Sequence, residues 1–323
     1  MEIQQLRNQI NQELSQLKFS DNPPELYEPI RYILTIGGKR MRPLLTLLGC
    51  YLYSDDYQKA MKPALVTEVF HNFTLMHDDL MDGSPKRRGK PTVHEKWSSD
   101  IAILSGDAML VEAYNLLLDI SPELLPKILK LFNRCALEVC EGQQFDMNFE
   151  QLEEVSEEAY TNMIRLKTSV LLGFAIQLGA LIGGASDTDA DALREFGVSI
   201  GIGFQLKDDL LDVFGDPDKF GKRVGMDIIA NKKTYLLITA LKEAEGALKD
   251  NLEHWISLKE FDMDEKVAAV KSIYQQLHIQ EKTEKLMNEY FDQGFNALER
   301  IHADEVKKGF LRSFTEQLLH RER

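Results

Sequence analysis

The chain has 323 residues, 44% of them hydrophobic, with a formal net charge of −14 and a pI near 5.1. That length buries a sizeable core, and so acidic a balance excludes nucleic-acid binding through a general electrostatic footprint. No Pro/Gly/Ser-rich linker or break in composition divides the sequence, so a single domain over residues 1–323 is expected.

The amino-terminal "MEIQQLRNQINQEL" is polar and acidic, unlike a signal or transit peptide. Cys50, Cys135 and Cys140 are odd in number and lack metal-ligand spacing, so they read as buried apolar filler in a reducing compartment. A cytoplasmic protein is expected. Apolar residues then recur at three- and four-residue spacing over "YEPIRYILTI", "MRPLLTLLGCYLY", "ALVTEVFHNFTLMHDDL", "DAMLVEAYNLLLDI" and "PELLPKILKLFNRCALEVC". Strand-like alternation is nearly absent. Helix starts are signalled by Ser121 with Pro122 and Glu123, by Ser156 with Glu157 and Glu158, and by Ser186 through Asp189. Gly183-Gly184 and Gly215-Asp216-Pro217 mark ends. The most apolar run, Ser169 to Gly184, is interrupted by Gln177 and four glycines, falls short of a membrane-spanning length and reads as a core helix, so no transmembrane segment is expected. Roughly ten to thirteen helices make the fold all-α, one large bundle.

Two of these helices end in the same device. "LMHDDLMDG" carries Asp78, Asp79 and Asp82, and 130 residues later "FQLKDDLLDVFGD" carries Asp208, Asp209 and Asp212. Positions i, i+1 and i+4 share one side of a helix. A single trio is as readily a solvated acidic helix end; a duplicated one asks for more. Six carboxylates facing each other at about 6 Å would repel by about 3 kcal/mol per pair at an effective dielectric of about 20, and only cations make that favourable. Carboxylate oxygens without nearby Cys or paired His suit Mg²⁺, which keeps waters and shares its shell with substrate phosphates. A phosphorylated ligand follows.

Basic residues supply the other half. "GGKRMRP" places Lys39 and Arg42 after two glycines at the start of an apolar helix, where backbone amides favour an anion. Arg87 and Arg88 follow the first trio and can grip diphosphate oxygens in two-pronged fashion, although an ordinary solvated loop has the same composition. Lys167, followed by Thr168, sits inside the apolar "RLKTSVLLGFA", where a charge is costly unless paired. His71 lies two turns before Asp78 on nearly the same face; alone, such a residue is more often a satisfied core histidine.

With "GGKRMRP", "HNFTLMHDDLMD", "RRGKPT", "GDAML", "LKTSVLL", "FQLKDDLLDVFGD" and "GKRVGMD" in this order between residues 37 and 234, the chain resembles the trans-prenyltransferases, or polyprenyl diphosphate synthases. Within that family it resembles geranylgeranyl and farnesyl diphosphate synthases. The resemblance implies an all-α bundle around a deep central cavity, a homodimer, and Mg²⁺-dependent head-to-tail condensation of isopentenyl diphosphate with an allylic diphosphate (dimethylallyl, geranyl or farnesyl) by ionisation, condensation and elimination. It makes the six aspartates the bed for several Mg²⁺ ions. The allylic diphosphate goes to Arg87, Lys167, Thr168, Gln205, Lys222 and Lys232, with Lys233 and Arg223 competing for the last two places, and Lys167 counts among the catalytic groups. Isopentenyl diphosphate goes to Lys39, Arg42, His71 and Arg88, with the carboxyl-terminal "HRER" able to fold over it. Phe73, about 7.5 Å of helix rise before Asp78, and its neighbour Thr74 set chain length at twenty carbons, with fifteen the rival.

Other classes share parts of this pattern. A terpene cyclase has an aspartate-rich helix but needs no isopentenyl site, so the Lys39/Arg42 and Arg87/Arg88 pairs favour elongation. A non-catalytic subunit of a heteromeric synthase could lose one trio, and this chain keeps both. Glu68-x-x-His71 and Glu299-x-x-His302 have the local spacing of a di-iron bundle.

Overall fold

A computed structural model describes residues 2–216 and 224–319, apart from the Leu318 side chain; Lys222, Arg223 and "HRER" lie outside the described residues. The described residues are all-α apart from one two-residue hairpin, as the periodicity predicts. The helices are α1 (Ile3–Gln16), α2 (Pro24–Thr35), α3 (Met41–Tyr53), α4 (Met61–Met81), α5 (Val93–Lys96), α6 (Ser99–Leu117), α7 (Leu125–Gln151), α8 (Glu157–Ile164), α9 (Val170–Gly183) and α10 (Asp187–Phe214). There follow α11 (Met226–Ile229), α12 (Tyr235–Glu243), α13 (Gly246–Ser257), α14 (Met263–Gln276), α15 (Ile279–Glu299) and α16 (Glu305–Leu319). The hairpin pairs β1 (Lys86–Arg87) with β2 (Lys90–Pro91), antiparallel.

The chain divides into two compact units. One comprises Met1–Ala136, Leu171–Arg194 and Ile301–Lys308; the other comprises Leu137–Val170, Glu195–Arg300 and Gly309–Arg323. In the first, the glycines of the apolar run are packing devices. A Cβ on Gly179 would overlap the Thr46 carbonyl, and one on Gly183 would lie 2.8 Å from the Cys50 carbonyl oxygen, so α3 and α9 touch through backbone. In the second unit, Leu210, Val213, Leu236, Leu252, Ile273 and Tyr274 form one apolar cluster, and Phe149, Tyr160, Met163, Ile202 and Leu206 contribute to another.

The described residues hold sixteen α-helices, two of them four residues long, where the periodicity predicts roughly ten to thirteen; three further expectations need correction. The helical run Glu157–Gly183 is long and apolar enough to cross a membrane by length and composition, because a turn of π-helix at Arg165–Ser169 joins α8 to α9 without a break; 78% of its most apolar window is buried in the protein. Ser121, Pro122 and Glu123 lead into α7 through a turn, in which the Ser121 carbonyl accepts from the Leu124 and Leu125 amides at 3.0 Å each, and the helix itself starts at Leu125. Cys140 is exposed, on a solvent-facing position of α7, while Cys50 and Cys135 are buried as expected.

Candidate active site

In the first unit, Asp78 and Asp79 occupy the last turn of α4 and Asp82 is its C-cap. Gly83, at φ 60°, closes the helix: its amide donates to the Leu80 carbonyl at 3.3 Å and the Ser84 amide to the Asp79 carbonyl at 2.9 Å. Left-handed backbone of this kind is what glycine supplies cheaply. The chain then reverses into the hairpin that carries Arg87. Its Nε donates to Asp79 Oδ2 at 2.7 Å, and its Nη2 lies 2.7 Å from Asp79 Oδ1 and 3.6 Å from Asp78 Oδ2. One hydrogen bond and one close ionic contact thus set a guanidinium against a carboxylate on a residue only 3% exposed.

The same unit holds all four residues assigned to isopentenyl diphosphate. Lys39 is exposed on the loop before α3, and Arg42 lies in that helix's first turn. Burial lowers the Arg42 guanidinium to about 10, so it stays charged at neutral pH, and its buried Nε has no hydrogen-bond partner. Arg88, at φ 51°, donates to the Gly37 carbonyl and packs against Gly38. His71 is half-buried on α4; burial, then the charges of Arg42, Arg88, Arg87 and Arg40, hold its proton affinity well below the ordinary histidine value. Neutral His71 thus sits among guanidinium groups. Two residues from it along α4, Phe73 is buried against Phe70 and His77, with ring centroids 5.5 and 4.9 Å away, and Thr74 donates to the His71 carbonyl at 2.8 Å.

In the second unit, α10 carries Asp208, exposed, Asp209, buried, and Asp212, half-buried. Asp209 accepts from the Tyr160 hydroxyl and from Gln205 Nε2 at 3.1 Å, and Asp212 accepts from the Asp227 amide at 2.9 Å. Burial, then the charge of Asp227, pushes Asp209 up to about 7 and Asp212 up to about 6, while Lys232 pulls both down. Of the two competing lysines, Lys233 donates to the Phe149 carbonyl at 2.8 Å, and Lys232 is exposed within electrostatic range of the trio. Thr168 donates to Gln205 Oε1 at 3.4 Å.

Lys167 has the partner its apolar surroundings demand: Nζ lies 2.6 Å from Asp146 Oδ2. Two local features make the meeting possible. Lys167 is in the π-turn, where Ser169 Oγ reaches back to the Ile164 carbonyl at 3.2 Å, and such single turns of wider helix cluster at functional sites. Gly142, on the same face of α7 as Asp146, leaves room for the Lys167 backbone, which any Cβ there would overlap.

Sequence reasoning gave no role at the site to Arg40, Asp146, Tyr160 or Asp227, and met Glu68 only in the di-iron spacing. Each acts through a partner remote in sequence, so no local pattern announces its role, although Arg40 stood inside "GGKRMRP" and Asp227 inside "GKRVGMD". The di-iron pattern dissolves on the same ground: Glu68 pairs with Arg40, Glu299 with Arg312 at 2.5 Å, and His302 with Asp189 at 3.2 Å.

Among the described residues, no three His, Cys, Asp or Glu side chains converge to hold an ion between them. Each trio stands at the negative end of a helix dipole, with one carboxylate, Asp79 or Asp209, buried and hydrogen-bonded. Hard oxygen donors in that arrangement fit Mg²⁺, whose remaining shell is completed by water and phosphate oxygens.

A family model for polyprenyl synthetases matches residues 23–277. The geranylgeranyl pyrophosphate synthase of Geoglobus acetivorans is 41% identical over 236 residues, 72% of this chain and 74% of its own. A solved geranylgeranyl pyrophosphate synthase superposes with a TM-score of 0.95 at 41% identity over 100% of both chains. A polyprenyl synthase from Caulobacter crescentus CB15, solved with calcium and isoprenyl diphosphate, superposes with a TM-score of 0.83 at 26% identity, over 99% of this chain and 95% of its own. By both the family model and these identities, the chain belongs to the polyprenyl synthetase family and is a prenyltransferase.

Proposed function

We propose that this prenyltransferase, acting as one catalytic domain, uses Mg²⁺ to condense isopentenyl diphosphate head-to-tail with allylic diphosphates, and that its main product is geranylgeranyl diphosphate. The observation that carries the reading is the cluster of guanidinium groups around His71, where Arg42 keeps a buried, unpartnered Nε and Arg88 joins it, in the same compact unit as the first acidic trio. A terpene cyclase would have no use for that cluster. The names of the similar synthases support the twenty-carbon product, and the calcium and isoprenyl diphosphate of the Caulobacter protein support a divalent cation.

When bound to Asp78, Asp79, Asp82, Asp208, Asp209 and Asp212, Mg²⁺ supplies positive charge for the leaving diphosphate. Lys167, oriented by Asp146, binds diphosphate oxygens with Arg87, Thr168, Gln205 and Lys232; Lys222 completes the proposed set. Preorganised donors of this kind lower the barrier to breaking the allylic carbon–oxygen bond. Lys39, Arg42, Arg88 and neutral His71 hold isopentenyl diphosphate so that its double bond meets the allylic cation, and orientation replaces the entropy of an encounter. Apolar groups such as Phe73 exclude the water that would quench the cation. The proton leaves to the departing diphosphate.

Exposed Leu104, Val111 and Leu118, seven residues apart along and just past α6, support a homodimer, because such apolar faces mark contact surfaces. Free thiols at all three cysteines support a cytoplasmic location. The test is incubation of purified protein with Mg²⁺, labelled isopentenyl diphosphate and each of the dimethylallyl, geranyl and farnesyl starters, followed by sizing of the products. Twenty-carbon product from each starter is expected; absence of label in any chain-extended product overturns the reading, and arrest at fifteen carbons overturns the assigned length.

A further inference from the structure

We propose that Arg40 is a positioning residue for the isopentenyl diphosphate pocket, clamped by Asn11 of α1 and Glu68 of α4. The proposal rests on the reading of Lys39, Arg42, His71 and Arg88 given above. Arg40 sits between the two pocket cations Lys39 and Arg42, yet it is buried, and its guanidinium is spent on protein groups. Nε donates to Asn11 Oδ1 at 2.9 Å, Nη1 to Glu68 Oε1 at 2.5 Å, and Nη2 to the Leu34 carbonyl at 2.7 Å. Each edge of the fork therefore reaches a different helix: α1, α4 and α2. The two ion-pair side chains are 2% and 3% exposed. Nε and both terminal nitrogens are thus each committed to a protein group, which makes its contribution the placing of the loop.

That loop needs placing. Gly37, Gly38 and Arg40 have φ of 96°, 145° and 52°, so the backbone is left-handed at three positions out of four, one of them not glycine. A non-glycine residue holds that conformation only when its surroundings over-determine it. The Gly37 carbonyl at the other end of the same loop receives Arg88, so the loop also fixes a third pocket cation. On the far side, Glu68 lies one turn before His71 on α4 and is itself held by Asn72, whose Nδ2 donates to the Glu68 carbonyl at 2.8 Å and to Oε1 at 3.2 Å. The Arg40–Glu68 pair is thus the strut that sets the α3 cations at a fixed distance from His71. Asn11 adds a second consequence: α1 precedes the residues matched by the family model, which begin at 23, and still reaches the pocket loop.

The test compares Glu68→Gln, Arg40→Lys and Asn11→Ala with Lys39→Ala, measuring KM for isopentenyl diphosphate, KM for the allylic diphosphate, kcat and thermal midpoint. Glu68→Gln and Arg40→Lys are expected to raise the isopentenyl KM about tenfold and Asn11→Ala about threefold, with the allylic KM within about twofold of the parent. A purely structural role would lower the midpoint and move neither KM selectively. If Lys39→Ala raises the isopentenyl KM while the folded clamp variants do not, the clamp is overturned and the pocket stands. If Lys39→Ala also leaves that KM unchanged, the pocket reading falls and the clamp falls with it. Should Glu68→Gln and Arg40→Lys fail to fold, Asn11→Ala, at an exposed position, decides: an unchanged isopentenyl KM there overturns the proposal.

Discussion

The two acidic trios share one spacing and are balanced differently. Asp78 and Asp79 meet a guanidinium, Arg87, delivered by a hairpin that starts directly after the helix. Asp209 and Asp212 are met by a phenol, an amide side chain and a backbone amide, with the further negative charge of Asp227 behind them. The motif thus sets where carboxylate oxygens stand on a helix, while neighbours from elsewhere in the chain decide how much cation each set still requires. The first trio meets a guanidinium directly, whereas Asp209 and Asp212 of the second accept from neutral groups and feel the charge of Lys232.

The sharpest way to break this comparison is to remove one carboxylate from each side. Asp79→Asn and Asp209→Asn are each expected to lower kcat by about 10²–10³-fold, the scale on which preorganised charge stabilisation is lost; steady-state kinetics in which either variant keeps full activity would reduce that trio to a structural helix end. Next in size, Arg87→Ala leaves Asp79 buried without its partner. Denaturant titration of the metal-free protein should show a loss of about 2 kcal/mol, less than for a fully buried pair because Arg87 is 24% exposed. Added Mg²⁺ should restore more stability to this variant than to the parent, and equal gains would show that Arg87 does not stand in for a cation. Phe73→Ala should lengthen the product by at least one five-carbon unit and cost about 3 kcal/mol of stability. An unchanged product distribution removes Phe73 as the floor.

The smallest effect concerns pH. His71 binds a proton less readily folded than unfolded, so its contribution to stability is complete above about 6.5 and declines as pH falls below that value. Denaturation midpoints of His71→Gln should therefore fall less steeply than the parent's between pH 7 and about 5. Parallel slopes would contradict the depressed proton affinity. For the same reason, the KM for isopentenyl diphosphate should show no inflection near the ordinary histidine value.

Helices, their caps at Ser156 and Ser186, and the placement of both trios at helix ends were readable because each depends on residues within one or two turns. The need for a partner at Lys167 was readable too, from the cost of a charge in an apolar run. The identity of that partner was not: Asp146 lies 21 residues away, and only the packing at Gly142 brings its helix close. Tyr160 and Asp209 are 49 residues apart, and Arg40 is separated by 28 residues from Glu68. Arg40 looked like one more cation in a basic motif. Only its three hydrogen bonds separate it from Lys39 and Arg42, and these come from helices that no local pattern connects. The continuity of α8 into α9 was hidden for a related reason, since a π-turn has no residue signature comparable to a glycine stop or a serine cap.

That π-turn carries one more implication. Residues 165–169 hold an extra position per turn relative to ordinary α-helix, so the turn takes up one added residue while the helix on either side keeps its winding; one residue fewer within α9 would instead swing everything downstream by about 100°. Loss of one residue from the turn would shift Lys167 relative to Asp146, and loss of one from α9 would turn its apolar side away from α3. Deletion scanning from 157 to 183 should thus find the least damage to folding inside the turn, where substitution scanning finds ordinary helix.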